Sequence, residues 1–180
     1  MVEFLIARGL DVNSRRLDGE TVCTRICRSP KHERVSQLLI SAGADVNALV
    51  NGFSHMFTCA ARGDAETMAL LFRRGMNPSL AGKSGWTALH FAARPIRVNV
   101  KYDYAWDFDT SRRSRLGVVK ILVRAGADVN SMTDKGKTPL GLLKSIEKRR
   151  ILSTDETLIV QYVKEHGAVI RKHGTVGAVA

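Results

Sequence analysis

A chain of 180 residues that is 44% hydrophobic and 25% charged has material for one continuous core, which argues against disorder throughout. No run approaches the ~18 consecutive apolar residues of a membrane-spanning helix, and Met1 to Val12 lacks the basic start, apolar centre and cleavage site of a secretory signal; an intracellular location, cytoplasmic or nuclear, is expected. The formal net charge of +11 favours acidic partners without bearing on fold, and three irregularly spaced cysteines suit free thiols in a reducing compartment.

In chain order the elements recur. Val2, Phe4, Leu5 and Ile6 form an apolar helical run that stops at Gly9-Leu-Asp-Val-Asn13. Val35, Leu38, Leu39 and Ile40 precede Gly43-Ala-Asp-Val-Asn47, and Met68, Leu70, Leu71 and Phe72 precede Gly75-Met-Asn-Pro-Ser79. Val118, Val119, Ile121 and Leu122 precede Gly126-Ala-Asp-Val-Asn130, with a weaker copy at Gly167. Glycine at the left-handed position ends a helix cheaply, and the polar residues after it suit a turn. The glycines are 34, 32, 51 and 41 residues apart, so two intervals sit at a period of ~33 residues and two are lengthened by insertion.

Upstream of each run the sequence predicts a first helix. It is clearest at Gly85-Trp-Thr-Ala-Leu-His-Phe-Ala-Ala93, where Thr87 caps and Leu89, Ala92 and Ala93 share a face. Asp134-Lys-Gly-Lys-Thr-Pro-Leu140 is a second copy, with Thr138 as cap and Pro139 at the first helical position. Asp18-Gly-Glu-Thr21 and Asn51-Gly-Phe-Ser54 are looser ones.

These caps, small-residue positions, turn glycines and period together resemble the ankyrin-repeat family over nearly the whole chain. The resemblance implies an all-α, right-handed solenoid of stacked helix-turn-helix units with hairpin-like connecting turns. On this reading the repeat domain covers residues 1–171: a half repeat at 1–15, repeats at about 16–48, 49–80 and 81–131, and an elongated last repeat at 132–171. An insertion interrupts the third full repeat near 95–114, and a small-residue tail occupies 172–180. Met1 falls where a second helix begins, so an expectation is that the chain is a fragment or one end of a longer array.

Few residues invite a chemical role. Cys23 and Cys27, with His32 nearby, have helical spacing for a metal, but no fourth ligand stands at usable spacing, and Cys23, Cys27 and Cys59 align with core positions. No metal or other cofactor is expected. His90 occupies the motif position at which the family uses its imidazole to bond neighbouring turns. His32, His55, His166 and His173 have no partner set for catalysis, and Gly82-Lys-Ser84 lacks the upstream glycine of a phosphate loop, Asn77 standing there instead. The expectation is a binding protein rather than an enzyme, with no small-molecule substrate. The family resemblance also implies that Asn13, Asn47 and Asn130 are eligible for hydroxylation, beside a plain role in turn geometry.

The insertion alternates Val98, Val100, Tyr102, Tyr104, Trp106 and Phe108 with Asn99, Lys101, Asp103, Ala105 and Asp107, the two-residue period of a strand with one apolar face. Either the aromatics cover their own repeat or they anchor a partner. A basic edge is expected from the loops between first and second helices: Arg28, Lys31 and Arg34; Arg112, Arg113 and Arg115; Lys148, Arg149 and Arg150. The family resemblance implies a protein–protein interaction scaffold whose contacts fall on the concave hairpin and first-helix surface. They are Arg15, Arg16 and Leu17; Leu49, Val50 and Phe53; Lys83, Ser84 and Trp86; and Met132, Asp134 and Lys135. The alternative is an acidic ligand, nucleic acid or an anionic membrane, held at the basic edge.

Overall fold

The structure is a computed structural model that describes residues 1–17, 19–26, 32–94, 114–148 and 151–169. Among the described residues five second helices, α1 (Val2–Ala7), α3 (Glu33–Ser41), α5 (Ala65–Arg73), α7 (Arg115–Arg124) and α9 (Thr154–Glu165), alternate with four first helices. These are α2 (Val22–Ile26), α4 (His55–Arg62), α6 (Ala88–Ala93) and α8 (Pro139–Glu147). Pairs α2/α3, α4/α5, α6/α7 and α8/α9 pack internally, and the pairs stack through α4 on α6 on α8 and α1 on α3 on α5 on α7 on α9. The described residues hold no strand beyond isolated bridges at Arg15–Thr21 and Val50–Phe53.

The sequence sets both ends of these helices. Ser54 accepts from the Met56 N–H, Asp64 from Thr67 and Thr138 from Gly141, each replacing a missing intrahelical partner. Ser153 and Glu156 cap α9 reciprocally. At the other end, the turn glycines at 9, 43, 75, 126 and 167 all have φ between 79° and 93°. In each the next residue's N–H returns to a carbonyl one turn back, as Ala44 does to Leu39 (3.0 Å) and Ala127 to Leu122 (3.0 Å). Five identical helix endings explain why the chain reverses in register every time.

The core lies between the two helix rows. Leu39, Met56, Phe57, Met68, Leu71, Leu89, Leu122, Leu140, Leu143 and Ile159 are almost fully buried, and each large apolar side chain so buried stabilises by about 1.5–3 kcal/mol. Cys23 and Cys59 are buried in this core as the alignment of repeats predicts, whereas Cys27 lies outside the described residues. No helix among the described residues is long and apolar enough to cross a membrane.

Candidate protein-interaction surface

Between each second helix and the next first helix the chain makes a tight hairpin, closed by Arg16 N–H to Glu20 C=O, Val50 to Phe53, Gly82 to Trp86 and Thr133 to Lys137. Adjacent hairpins are tied edge to edge: Lys83 N–H donates to Gly52 C=O and Asp134 N–H to Ser84 C=O, both at 3.0 Å. The first of these contacts requires glycine twice. Gly52 has φ 77°, and a Cβ there would press on the Lys83 backbone; at Gly82 it would collide with the Gly52 carbonyl and the Phe57 ring. Asn51 (φ 53°) and Ser84 (φ 60°) also adopt left-handed backbone in these hairpins.

The turn asparagines lock the stack from the other side. Asn13 donates from Nδ2 to Gly43 C=O (3.0 Å) and accepts at Oδ1 from the Asp45 N–H (2.7 Å). Asn47 does the same to Gly75 and Asn77 (3.1 and 2.8 Å), and Asn130 to Gly167 and Val169 (2.9 and 2.9 Å). Ser79 stands where the fourth asparagine belongs, and among the described residues no asparagine clamps Gly126 as the others clamp Gly43, Gly75 and Gly167. The sequence shows these asparagines only as turn residues two positions after an aspartate; their bonds across repeats come from the stacking of the turns.

His90 is fully buried and links two further repeats. The Thr87 N–H donates to its Nδ1 (3.2 Å), which places the proton on Nε2, and Nε2 donates to Lys137 C=O (2.9 Å). Burial lowers its pKa below the ordinary histidine value, so the neutral ring is the working form. This is the turn-bonding role expected at that motif position. Thr21 and Thr24 reproduce the arrangement in α2 with hydroxyls alone, bonding each other's N–H at 3.0 and 3.2 Å.

The hairpin contacts read from the sequence divide. Leu17, Leu49 and Met132 are exposed, Leu17 wholly so, and Arg15, Arg16, Lys83, Ser84, Asp134 and Lys135 are exposed around them. Phe53 and Trp86 are half-buried; Trp86 packs on Phe91 (5.2 Å between ring centres) and carries Arg94 over its face, and Phe91 stacks on Phe57 at 5.0 Å. Val50 is a correction: only 5% exposed, it faces the core because its backbone pairs with Phe53, and it offers no contact.

Arg115 is a second correction, because it leaves the basic edge altogether. It is 7% exposed, donates to the Ala92 (3.2 Å) and Arg94 carbonyls at the end of α6, and pairs with Glu156 at 3.4 Å. Asp155 takes the Arg115 N–H (3.1 Å) and the Ser114 hydroxyl (2.7 Å). One buried guanidinium thus joins the residues on either side of the insertion to the start of α9. Position in a loop full of cations hid this, since only the fold brings α9 alongside. Arg34 and Lys148 are exposed. Arg28, Lys31, Arg112, Arg113, Arg149 and Arg150 lie outside the described residues, as do Tyr102, Tyr104, Trp106 and Phe108 of the insertion.

Cys23 Sγ lies 3.9 Å from His55 Nδ1. Burial lowers the His55 pKa, but charge interaction and hydrogen bonding with Cys59 and Cys23 outweigh it and hold it above the ordinary histidine value. All three side chains are shut away from solvent, which leaves the thiols as small core groups. Among the described residues no group of three or more His, Cys, Asp or Glu side chains is placed to hold a metal ion.

Stacked helix pairs joined by hydrogen-bonded hairpins define a repeat solenoid, in which each unit is completed by its neighbours. Residues 84–134, from the Ser84 hairpin through α6 and α7 to the Asp134 hairpin, match the family model of the ankyrin repeat. The same helix endings, clamps and hairpins recur outside that span, so the described residues form an all-α solenoid of repeats with an ankyrin repeat at 84–134. No curated protein matches it. Ankyrin repeats are in general protein–protein interaction modules, and proteins built from them are typically non-enzymatic scaffolds.

Proposed function

We propose that the chain binds a partner protein through the concave surface formed by its hairpins and first helices. One observation carries this: backbone bonds tie the hairpins at Gly52, Lys83–Ser84 and Asp134 edge to edge, and Leu49 and Met132 stand exposed beside them, as Leu17 does at the first hairpin. Glycines and strained residues fix the hairpins beneath them, so little ordering cost falls on binding. Arg15, Lys83 and Lys135 around these residues supply charge selectivity.

The test is affinity capture from a cell lysate at about 0.15 M and about 0.5 M salt, a change that shrinks the screening length and weakens exposed ion pairs more than apolar anchors. A protein partner held by the wild type at both salts, and lost from a Leu17→Ala/Leu49→Ala/Met132→Ala variant of unchanged Tm, is the expected result. Capture of the same protein by that variant refutes the concave-surface reading.

A further inference from the structure

On the opposite side of the solenoid, α3 and α5 run parallel with a shallow groove of about 400 Å³ between them. Their register is fixed at two places: Gln37 Nε2 donates to Thr67 Oγ1 (3.3 Å), and the Arg74 guanidinium caps α3 through the Ile40 and Ser41 carbonyls (2.9 and 2.6 Å). Each wall shows one helical stripe at i, i+3, i+4 and i+7, running from Arg34 to Ser41 on α3 and from Glu66 to Arg73 on α5. The middle of the groove is apolar, lined by Leu38, Ala69 and Leu70, and it is deepened because Ala69 is small. Arg34 at one end and Arg73 at the other are exposed, and neither has an acidic partner among the described residues.

We propose that this groove is a second binding site, distinct from the hairpin surface, which takes an acidic amphipathic helix of a partner protein. Two parallel helical walls accept a third helix by ridge-into-groove packing. Arg34 and Ser41 are seven residues apart, roughly 10 Å at 1.5 Å per residue, so carboxylates seven residues apart on the occupant meet the two arginines while the residues between them cover Leu38 and Leu70. Glu66 stands at the Arg34 end and opposes an acid there, so Arg73 makes the stronger pair. A groove with an apolar floor and a carboxylate on its rim does not suit a nucleic-acid backbone.

The probe is a labelled synthetic helix of about four turns carrying Glu-x-x-Leu-Leu-x-x-Glu, titrated by fluorescence anisotropy against the full chain at about 0.15 M salt. Saturable binding is expected, with amide shift changes confined to α3 and α5. Arg34→Glu/Arg73→Glu should weaken it at least roughly tenfold. Ala69→Leu, which fills the groove without touching charge, should weaken it as well, and Glu66→Gln should strengthen it. The hairpin alanine variant should bind normally, so this proposal and the concave-surface reading fail separately. Failure to saturate, equal affinity for the double charge reversal, or equal affinity for a Ser-for-Leu peptide overturns the proposal; the last outcome reduces the interaction to diffuse charge.

Discussion

Ser79→Asn should stabilise the chain by completing its asparagine clamps. Ser79 already occupies the same turn as the three clamping residues: its N–H is taken by Asn77 Oδ1 at 3.0 Å, as that of Asn13 is by Asp11 (2.9 Å) and that of Asn130 by Asp128 (2.8 Å). What it lacks is reach, because a hydroxymethyl group cannot span to the next turn and offer donor and acceptor together. The receiving atoms, Gly126 C=O and Asp128 N–H, correspond to those that Asn13 and Asn47 engage in the preceding turns. Two hydrogen bonds at about 0.5–1.5 kcal/mol each, less the rotamer freedom of one exposed side chain, leave about 1 kcal/mol net. For a chain of this size that is a rise in Tm of about 2–4 °C. Calorimetry measures the shift, and native-state amide exchange supplies an independent readout. In the wild type the Asp128 amide should exchange much faster than those of Asp45, Asn77 and Val169, and in the variant it should slow to match them. An unchanged Tm with an unprotected Asp128 amide would refute the idea that these asparagines act across repeats.

The reverse experiment, Asn47→Ala, should cost about 2 kcal/mol by urea titration, since it leaves two backbone groups without their partners; a loss below about 0.5 kcal/mol would assign Asn47 to local turn geometry. Arg115→Ala should destabilise by about 3–5 kcal/mol, because Glu156 then sits buried without its cation and the α6 carbonyls lose their donor. A melting curve close to wild type would contradict that. His90 has a folded pKa below its unfolded value, so the stability it supplies is present above the unfolded pKa of about 6.5 and is lost as pH falls through the folded one. Comparing wild type with His90→Gln between about pH 7.5 and 5 isolates this: the gap should narrow as pH falls, and a constant gap would show that His90 does not titrate there. Gly82→Ala should destabilise by about 1–3 kcal/mol, since the added methyl strikes Phe57 and the Gly52 carbonyl; a silent change would mean the two hairpins do not touch.

The repeat was legible in the sequence because its signals are local. A turn glycine must follow a helix end, a threonine, serine or aspartate must precede a helix start, and both leave marks at fixed spacing whatever surrounds them. The helices, their order, the burial of Cys23 and Cys59 and the bonding role of His90 all followed from those marks. Relations between units left no comparable trace. Arg115 reads as one more cation in a basic loop until stacking brings Glu156 and two α6 carbonyls around it, and Val50 reads as a hairpin contact until pairing with Phe53 turns it inward. The asparagine clamps span 28 to 39 residues, and the groove between α3 and α5 exists only where two helices distant in the chain settle side by side. Local chemistry decided what each repeat is; its burial against a neighbour decided which charges are paired, which glycines are indispensable and which faces remain open to bind.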